Sequence, residues 1–251
     1  MRKVSGLIIC KNEEHNIEEC VKSILWCDEI IIADSYSTDG TLEILKKYPV
    51  SIYQNEWKGF SKQREFAVSK VNHEWIFSLD ADERCSPGLA SEIKSVLNSG
   101  NLFDGYMIPR KSFFLGKWIK HCGWYPGYQM RLFNRKNVTV TDRLVHEGYL
   151  ISGSEGKLVN DILHYTVRSV SDYTMKINNY SSLEALEKAD GKKISAANLF
   201  FKPILEFKKK FFFQGGYRDG IYGLMVSYFH MMTKILTYMK IREIQNKSGD
   251  E

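Results

Sequence analysis

The chain has 251 residues, of which 43% are hydrophobic and 26% are charged. This length and composition are those of a globular protein with a sizeable core, and they exclude collagen-like, low-complexity and wholly disordered chains. The net charge of +5 is unevenly spread, because residues 192–251 have 11 basic and 5 acidic residues, whereas residues 1–191 are close to neutral.

The cysteine content indicates a reducing compartment, and the N-terminal run does not have the pattern of a signal peptide. Five cysteines are present, an odd number without CxxC spacing, which argues against a closed disulfide framework. We therefore expect buried thiols in the cytoplasm. The N-terminal run MRKVSGLIIC is followed at once by Lys11-Asn12-Glu13-Glu14 and has no small-residue cleavage site, so we expect no signal peptide.

The first hundred residues alternate between apolar runs and amphipathic segments. Short apolar runs predict strands, and apolar residues at helical spacing predict helices. The predicted strands cover 4–10, 29–33, 50–53 and 74–79, and the predicted helices cover 12–25, 41–48, 61–71 and 87–98. Strands that alternate with helices predict right-handed crossovers, and hence an α/β fold with a mainly parallel sheet flanked by helices.

The alternation of predicted strands and helices ends after about the first hundred residues. Residues 103–165 are rich in glycine and aromatic residues and contain short apolar runs. These runs predict strands over 105–108, 129–133 and 137–140. We expect a mixed sheet with loops here that completes the site, followed by a helix over 171–188.

Acidic residues follow two of the predicted strands. Asp34 comes after the second strand, and Asp80 and Asp82 come after the fourth. Because ligands of parallel sheets bind outside the carboxyl ends of the strands, we expect these side chains to share one crevice. Two carboxylates at positions i and i+2 at a strand end suit Mg²⁺ or Mn²⁺ bridging a diphosphate. A solvated loop with two acids is the alternative.

Four segments within about the first 90 residues match a known family in order and spacing. They are Ile8–Glu14, Ala33–Thr41, Gln63–Arg64 and Leu79–Glu83. In these segments the chain resembles glycosyltransferase family 2, whose members have the GT-A fold, a Rossmann-like α/β fold. The resemblance implies a nucleotide-sugar donor and a divalent metal ion, Mg²⁺ or Mn²⁺.

The resemblance also implies site residues. The expected nucleotide-sugar contacts are Asn12, Glu13, Asp34, Arg64, Asp80 and Arg131, and the expected metal ligands are Asp82 and His164. Asp34 is expected near the uracil or ribose. The family's second acid at this point is replaced by Ser35, which weakens the expectation of base recognition.

Several of these residues have a purely structural role as an alternative. Arg64 either neutralises the diphosphate or is an arginine on the surface of a helix. Arg131 contacts the diphosphate or the acceptor, or else points to solvent from its strand. His164 is either a ligand of the metal or diphosphate or a structural histidine. Helix capping is the favoured role for Asp39 and Thr41.

The second half of the chain resembles a narrower branch of the family. The matching segments are Gly123–Pro126, Gln129–Phe133, Val145–Glu147, Leu163–Tyr165 and Asp219–Gly220. This branch contains the lipopolysaccharide core β-glucosyltransferases and related bacterial surface-glycan enzymes. The resemblance implies inversion at the anomeric carbon, for which one general base must deprotonate the acceptor hydroxyl.

Glu147 is the expected general base, because a carboxylate stays ionised near neutral pH. Asp142 and His146 are competing candidates, and a salt bridge within a loop is the alternative role of Glu147. Trp124 and Tyr125 are expected to stack on a sugar of the acceptor, unless they are core aromatics.

Residues 191–251 are predicted to form a helical, membrane-associating extension of a catalytic domain over 1–190. Lysines and aromatic residues are interleaved over 200–213, and a long apolar segment follows over 221–239. Lysines attract anionic lipid and aromatic side chains favour the membrane interface, so we expect an anionic membrane surface as partner, and no nucleic acid. Pairing with another subunit and packing on its own domain are the alternatives.

Together these features predict an inverting, metal-dependent glycosyltransferase that moves a hexose onto a lipopolysaccharide-core or lipid-linked glycan. Glucose from UDP-glucose is the expected donor group. The enzyme is expected in the cytoplasm, peripherally associated with the inner membrane. Two alternatives stay open: a nucleotidyltransferase of similar fold, and a non-catalytic protein that binds RNA or a membrane.

Overall fold

The computed structural model describes residues 2–100, 102–141, 148–189 and 194–247. The strands are β1 (Val4–Cys10), β2 (Glu29–Asp34), β3 (Ser51–Gln54), β4 (Trp75–Asp80), β5 (Glu83–Cys85), β6 (Gly105–Ile108), β7 (Arg110–Phe114), β8 (Lys117–Trp118), β9 (Gln129–Asn134), β10 (Val138–Val140), β11 (Tyr149–Ile151), β12 (Glu155–Lys157) and β13 (Ile162–Val167). The helices are α1 (Ile17–Ser23), α2 (Thr41–Leu45), α3 (Phe60–Ser69), α4 (Pro87–Asn98), α5 (Val170–Lys188), α6 (Ala196–Lys208) and α7 (Gly220–Lys247).

The main sheet is mainly parallel, as the alternation of strands and helices predicts. Its seven strands follow the order β12-β6-β9-β4-β1-β2-β3. β1 pairs in parallel with β2 and with β4, and β2 pairs in parallel with β3, whereas β9 runs antiparallel to both of its neighbours. The predicted α/β fold with a C-terminal helical region is therefore confirmed.

Side chains of β1 are buried on both faces of this sheet. Ile8 and Cys10 belong to one apolar cluster and Leu7 and Ile9 to another, since successive side chains of a strand point to opposite faces. α1 and α4 contribute to the first cluster and α3 to the second. Strands that are covered on both faces have continuous apolar sequences, which is why the sequence predicts β1, β2 and β4.

Some element bounds differ from the prediction. α1 begins at Ile17 rather than at residue 12, because Asn12 has a left-handed backbone with φ 56° and its loop is hydrogen bonded to the loop after β2. α4 spans the predicted residues, and the Ser86 side chain caps it by accepting a hydrogen bond from the Leu89 N–H. The strands β5 and β8 are too short to produce a recognisable apolar period, so the sequence did not predict them.

The described residues divide into two compact units. The first unit contains the seven-stranded sheet and comprises residues 2–111, 127–141 and 148–166, and the second comprises residues 112–126 and 167–247. The predicted domain boundary between residues 190 and 191 lies outside the described residues and stays a prediction. The cysteines are unpaired, as predicted, and all except Cys27 are buried.

Helices α5, α6 and α7 make up most of the second unit. The rings of Tyr173 in α5 and Phe229 in α7 lie 4.7 Å apart, and Nζ of Lys234 in α7 lies 2.8 Å from a carboxylate oxygen of Glu184 in α5. The apolar segment 221–239 therefore packs one face on its own chain. None of the helices in the described ranges combines the length and the apolar character that a membrane crossing needs.

Candidate functional site

The carboxyl ends of β4, β1 and β2 lie side by side at one edge of the main sheet. In the parallel pairing Asp34 is opposite Cys10, and Asp80 is opposite Ile9 on the other side of β1. The two acidic strand ends therefore flank the end of β1, at the edge where ligands of parallel sheets bind. The sheet thus brings these acids to one edge, as expected.

Asp80 accepts hydrogen bonds from two arginine side chains. Nη2 of Arg131, on β9, donates to Oδ2 at 2.5 Å, and Nη2 of Arg64, on α3, donates to Oδ1 at 3.1 Å. Both arginines are buried, so the alternatives of a surface position for Arg64 and a solvent-facing one for Arg131 are wrong. Burial would raise the pKa of the Asp80 carboxyl, but the charges of Arg131 and Arg64 outweigh it and hold that pKa far below its ordinary value.

Glu83 connects this cluster to a third arginine. Its Oε1 accepts hydrogen bonds from Nη2 of Arg131 at 2.8 Å and from Nη1 of Arg110 at 3.3 Å, and its Oε2 accepts one from the backbone N–H of Asp80 at 3.0 Å. Glu83 is not among the site residues expected from the sequence. The available signal was its position three residues after Asp80, from which a carboxylate can bind a backbone N–H across a turn.

The three arginines of this cluster have unused hydrogen-bond donors. Nη1 of Arg64, Nε of Arg110 and Nε of Arg131 are buried and lack a hydrogen-bond partner among the described residues. The three guanidinium groups carry one positive charge more than the carboxylates of Asp80 and Glu83 neutralise. Because a buried donor without an acceptor is costly, the cluster is suited to binding an anion.

Asp82 and His164, the predicted metal ligands, lie next to each other. Nε2 of His164 is 3.2 Å from Oδ2 of Asp82. β5 pairs antiparallel with β13, and this pairing places His164 opposite Glu83, the first residue of β5 and the neighbour of Asp82 in the chain. The carboxylate oxygen is a ligand that suits Mg²⁺ and Mn²⁺, and the imidazole nitrogen beside it favours Mn²⁺ of the two. Within the described residues, no group of three His, Cys, Asp or Glu side chains is arranged to hold a metal ion.

The loop after β1 is fastened to the loop after β2 by hydrogen bonds. Oδ1 of Asn12 accepts one from the Thr38 N–H at 2.8 Å, and the Glu13 N–H donates one to Oγ1 of Thr41 at 2.8 Å. Oδ1 of Asp39 accepts from the Thr41 N–H at 3.0 Å, but the N-cap residue of α2 is Gly40 and no side chain caps this helix, so the capping role favoured for Asp39 and Thr41 is not observed. Asn12 and Glu13 thus shape this edge, and their contact with a nucleotide sugar stays a prediction.

Asp34 is fully buried, and its carboxylate is engaged by protein donors. Ser37 donates to it through Oγ at 2.5 Å and through its backbone N–H at 3.0 Å, and Nε2 of Gln54 donates at 3.1 Å. The carboxylate therefore holds the loop that follows β2. Its predicted contact with the base or ribose stays a prediction, as does the effect of Ser35, whose Oγ is buried and has no partner among the described residues.

Trp124 and Tyr125, the predicted acceptor contacts, belong to the second unit and are half-buried. Nε1 of Trp124 donates to Nε2 of His230 at 3.1 Å, and the Trp124 ring lies edge-on to that of Phe114 at 6.2 Å. The Tyr125 ring lies edge-on to that of Trp118 at 5.5 Å. Both rings thus pack in part on protein, and their contact with an acceptor stays a prediction.

Glu147, the predicted general base, lies outside the described residues together with Asp142 and His146. The described residues on either side of this segment are bonded to each other. The Thr141 N–H donates to the carbonyl of Gly148 at 3.0 Å, and the Gly148 N–H donates to Oγ1 of Thr141 at 2.8 Å. The catalytic role of Glu147 stays a prediction.

Comparisons with known proteins agree on one family. The model of "Glycosyl transferase family 2" matches residues 5–147. The lipopolysaccharide core biosynthesis glycosyltransferase LpsC of Rhizobium meliloti (strain 1021) is 29% identical over 246 residues, which cover 95% of this chain and 91% of that protein. An uncharacterized glycosyltransferase of Rickettsia typhi is 31% identical over 270 residues, which cover 99% of this chain and 89% of that protein.

The fold is also similar to that of a solved protein structure. The crystal structure of S. aureus TarS 1-349 in complex with UDP-GlcNAc superposes with a TM-score of 0.50 at 12% sequence identity. The match covers 99% of this chain and 92% of that chain. At this low identity the likeness concerns the fold alone.

Proposed function

The chain belongs to glycosyl transferase family 2, and we propose that it is an inverting, metal-dependent enzyme that transfers a hexose from a nucleotide diphosphate sugar. The observation that carries this proposal is the cluster at the carboxyl end of β4. There Asp80 binds Arg64 and Arg131, and Asp82 faces His164. The cluster combines one net positive charge, counted over Arg64, Arg110, Arg131, Asp80 and Glu83, with a carboxylate–imidazole pair, and these groups suit a nucleotide diphosphate and its cation.

The arginines of the cluster suit the diphosphate of the donor. A guanidinium group binds two phosphate oxygens at once, and the three buried N–H groups that lack partners among the described residues offer donors for them. As the sugar departs, negative charge develops on the leaving diphosphate, and fixed positive charges stabilise it. We propose glucose from UDP-glucose as the donor group, following the resemblance to the core β-glucosyltransferases.

Asp82 and His164 would hold the divalent cation, for which we propose Mg²⁺ or Mn²⁺. Their facing oxygen and nitrogen atoms are the donor types that these ions accept, and both side chains are largely buried. When bound, the cation supplies further positive charge to the diphosphate.

Glu147 is proposed as the general base that deprotonates the acceptor hydroxyl. The chain on both sides of its segment contacts the helix that supplies Arg64. Oγ of Ser61 in α3 donates to the carbonyl of Thr141 at 2.6 Å, and the Tyr149 ring lies 5.8 Å from Cζ of Arg64. Thr141 and Tyr149 thus lie next to the helix that carries Arg64.

The proposed acceptor is a lipopolysaccharide-core or lipid-linked glycan, with Trp124 and Tyr125 stacking on one of its sugars. The similarity to LpsC, which is named for lipopolysaccharide core biosynthesis, supports this choice. An acceptor of this kind is anchored in a membrane. We therefore propose that the enzyme works in the cytoplasm, peripherally associated with the inner membrane.

Cleavage of nucleotide sugars without an acceptor tests the proposal. The full chain is incubated with UDP- and GDP-sugars and Mn²⁺, and slow release of UDP from UDP-glucose is the expected result. With the acceptor added, a β-linked product from the α-linked donor is expected. Glu147→Gln should bind UDP-glucose as tightly as the unaltered chain but lose transfer. A chain that neither binds nor cleaves any of these donors would overturn the proposal.

A further inference from the structure

One side of α6 and of the turn after it exposes large apolar side chains. The turn is a π-helical one, Lys209–Phe213, that continues α6. The exposed residues are Phe200, Phe201, Leu205, Phe212 and Phe213, and each has more than half of its surface exposed, up to 85% for Phe213. Soluble proteins seldom leave several large apolar side chains exposed together, so a patch of this kind marks an interaction site.

The other side of α6 packs on α7. Pro203 is buried, the ring of Phe207 lies 4.9 Å from that of Tyr228, and Leu199 packs against the cluster that contains Tyr238. Residues 199, 203 and 207 recur at intervals of four and so share one side of the helix. The exposed apolar residues are thus not needed to hold α6 in place.

Lysines border the exposed side. Lys202, Lys208 and Lys209 are exposed, whereas Lys210 turns inward and donates to the Cys122 carbonyl at 3.0 Å. Glu206 is the one acidic residue of α6 and this turn. We name the five exposed apolar residues and the three exposed lysines the aromatic–lysine face.

We infer that the aromatic–lysine face docks on the surface of an anionic lipid bilayer. Lysines attract the headgroups of anionic lipids, and phenylalanine and leucine side chains enter the boundary between headgroups and acyl chains. A second copy of the chain fits less well, because a two-fold interface would set the lysines of one face against the lysines of the other. The inference rests on the proposed function in one respect, which is that the proposed acceptor is anchored in a membrane.

Flotation of the full chain with lipid vesicles tests the inference. Vesicles of phosphatidylcholine, with and without phosphatidylglycerol, are compared at low and high salt. We expect flotation with the anionic vesicles at low salt and release at high salt, because salt screens the lysines. Phe212→Ser/Phe213→Ser and Lys202→Gln/Lys208→Gln/Lys209→Gln should each lower the vesicle-bound to free ratio about tenfold.

A matched control separates this face from exposed apolar residues in general. Leu150 and Val159 of the first unit are also more than half exposed, and Leu150→Ser/Val159→Ser should float like the unaltered chain. UDP-glucose cleavage in solution should be the same in all of these variants, which shows that they are folded. If the unaltered chain neither binds nor cleaves any donor, the proposed function fails while the flotation result still decides the inference.

Three results would overturn the inference. One is the lack of any preference in flotation for anionic over neutral vesicles. Another is a phenylalanine variant that changes from dimer to monomer in light scattering while the unaltered chain ignores vesicles. The third is RNA binding that the lysine variant loses, again without vesicle binding by the unaltered chain.

Discussion

Nη2 of Arg131 donates to Oε1 of Glu83 at 2.8 Å, and the two side chains are 5% and 0% exposed. The same nitrogen donates to Asp80. One buried arginine therefore ties the strand end at Asp80 to the first residue of β5, across the turn that carries Asp82. The geometry of both predicted subsites, for diphosphate and for metal, depends on this link.

Replacing Glu83 by glutamine should weaken donor binding. The change removes a negative charge that faces Arg131 and Arg110, and it leaves one oxygen where there were two. Breaking a buried ion pair in this way typically costs about 3 kcal/mol or more. We expect a loss of this order in the free energy of unfolding, measured in urea, and a rise in KM for UDP-glucose that exceeds any fall in kcat.

Glu184→Gln is the matched control for this variant. Glu184 is a largely buried carboxylate in the second unit, with Lys188 and Lys234 as partners. Its replacement should lower stability but leave the KM for UDP-glucose unchanged. Glu83→Asp, which keeps the charge, should recover part of the loss. If Glu83→Gln has the KM of the unaltered chain, Glu83 does not position the donor site.

Asp82→Asn and His164→Gln should weaken metal binding. Each variant replaces one of the two facing donor atoms. Substitution of residues that only support the ligands of a metal site already lowers metal affinity about 10- to 100-fold. Titration of Mn²⁺ in the presence of UDP, followed by electron paramagnetic resonance, measures the affinity without relying on activity. Mn²⁺ affinities equal to that of the unaltered chain would show that this pair is not the metal site.

His230 should make the protein less stable in mild acid. Burial, together with the charges of Lys210 and Lys234, lowers the pKa of His230 from 6.5 to about 3. Between these values the unfolded chain binds a proton that the folded chain does not. The free energy of unfolding therefore falls as the pH decreases below about 6.5, by at most about 1.4 kcal/mol per pH unit from this group.

His230→Gln tests this contribution, because glutamine can still accept the hydrogen bond from Trp124. Urea unfolding of both chains between pH 7 and pH 4 should give a smaller pH dependence for the variant. Parallel pH profiles would mean that His230 does not stay neutral in the folded protein.

Glu184 should also make the folded protein more stable near neutral pH than in acid. Burial would raise the pKa of Glu184, but hydrogen bonds from Lys188 and Lys234 lower it from 4.5 to about 2. A lowered carboxyl pKa stabilises the folded state above the unfolded value, and this contribution disappears as the pH falls through the folded value. Glu184→Gln should therefore be less stable than the unaltered chain at pH 6, and the difference should shrink below about pH 4.5.

The sequence by itself determined the alternation of strands and helices over about the first hundred residues, the mainly parallel sheet and the family. Each of these depends on residues that are close in the chain. The run around Ile8 is apolar because both faces of β1 are covered, and Asp80 is the last residue of β4, with Asp82 two residues later. The comparisons confirm the resemblance to glycosyltransferase family 2 that these local segments indicated.

Only the tertiary structure decided which charges meet. Arg64, Arg110 and Arg131 come from three different elements, and their ion pairs join residues up to 51 positions apart. Sequence alone could not distinguish a buried Arg64 from a surface one, because the cost of burying an arginine is offset only by a carboxylate that folding brings to it. The sequence did not indicate Glu83 for the same reason, because its partners Arg110 and Arg131 are distant in the chain.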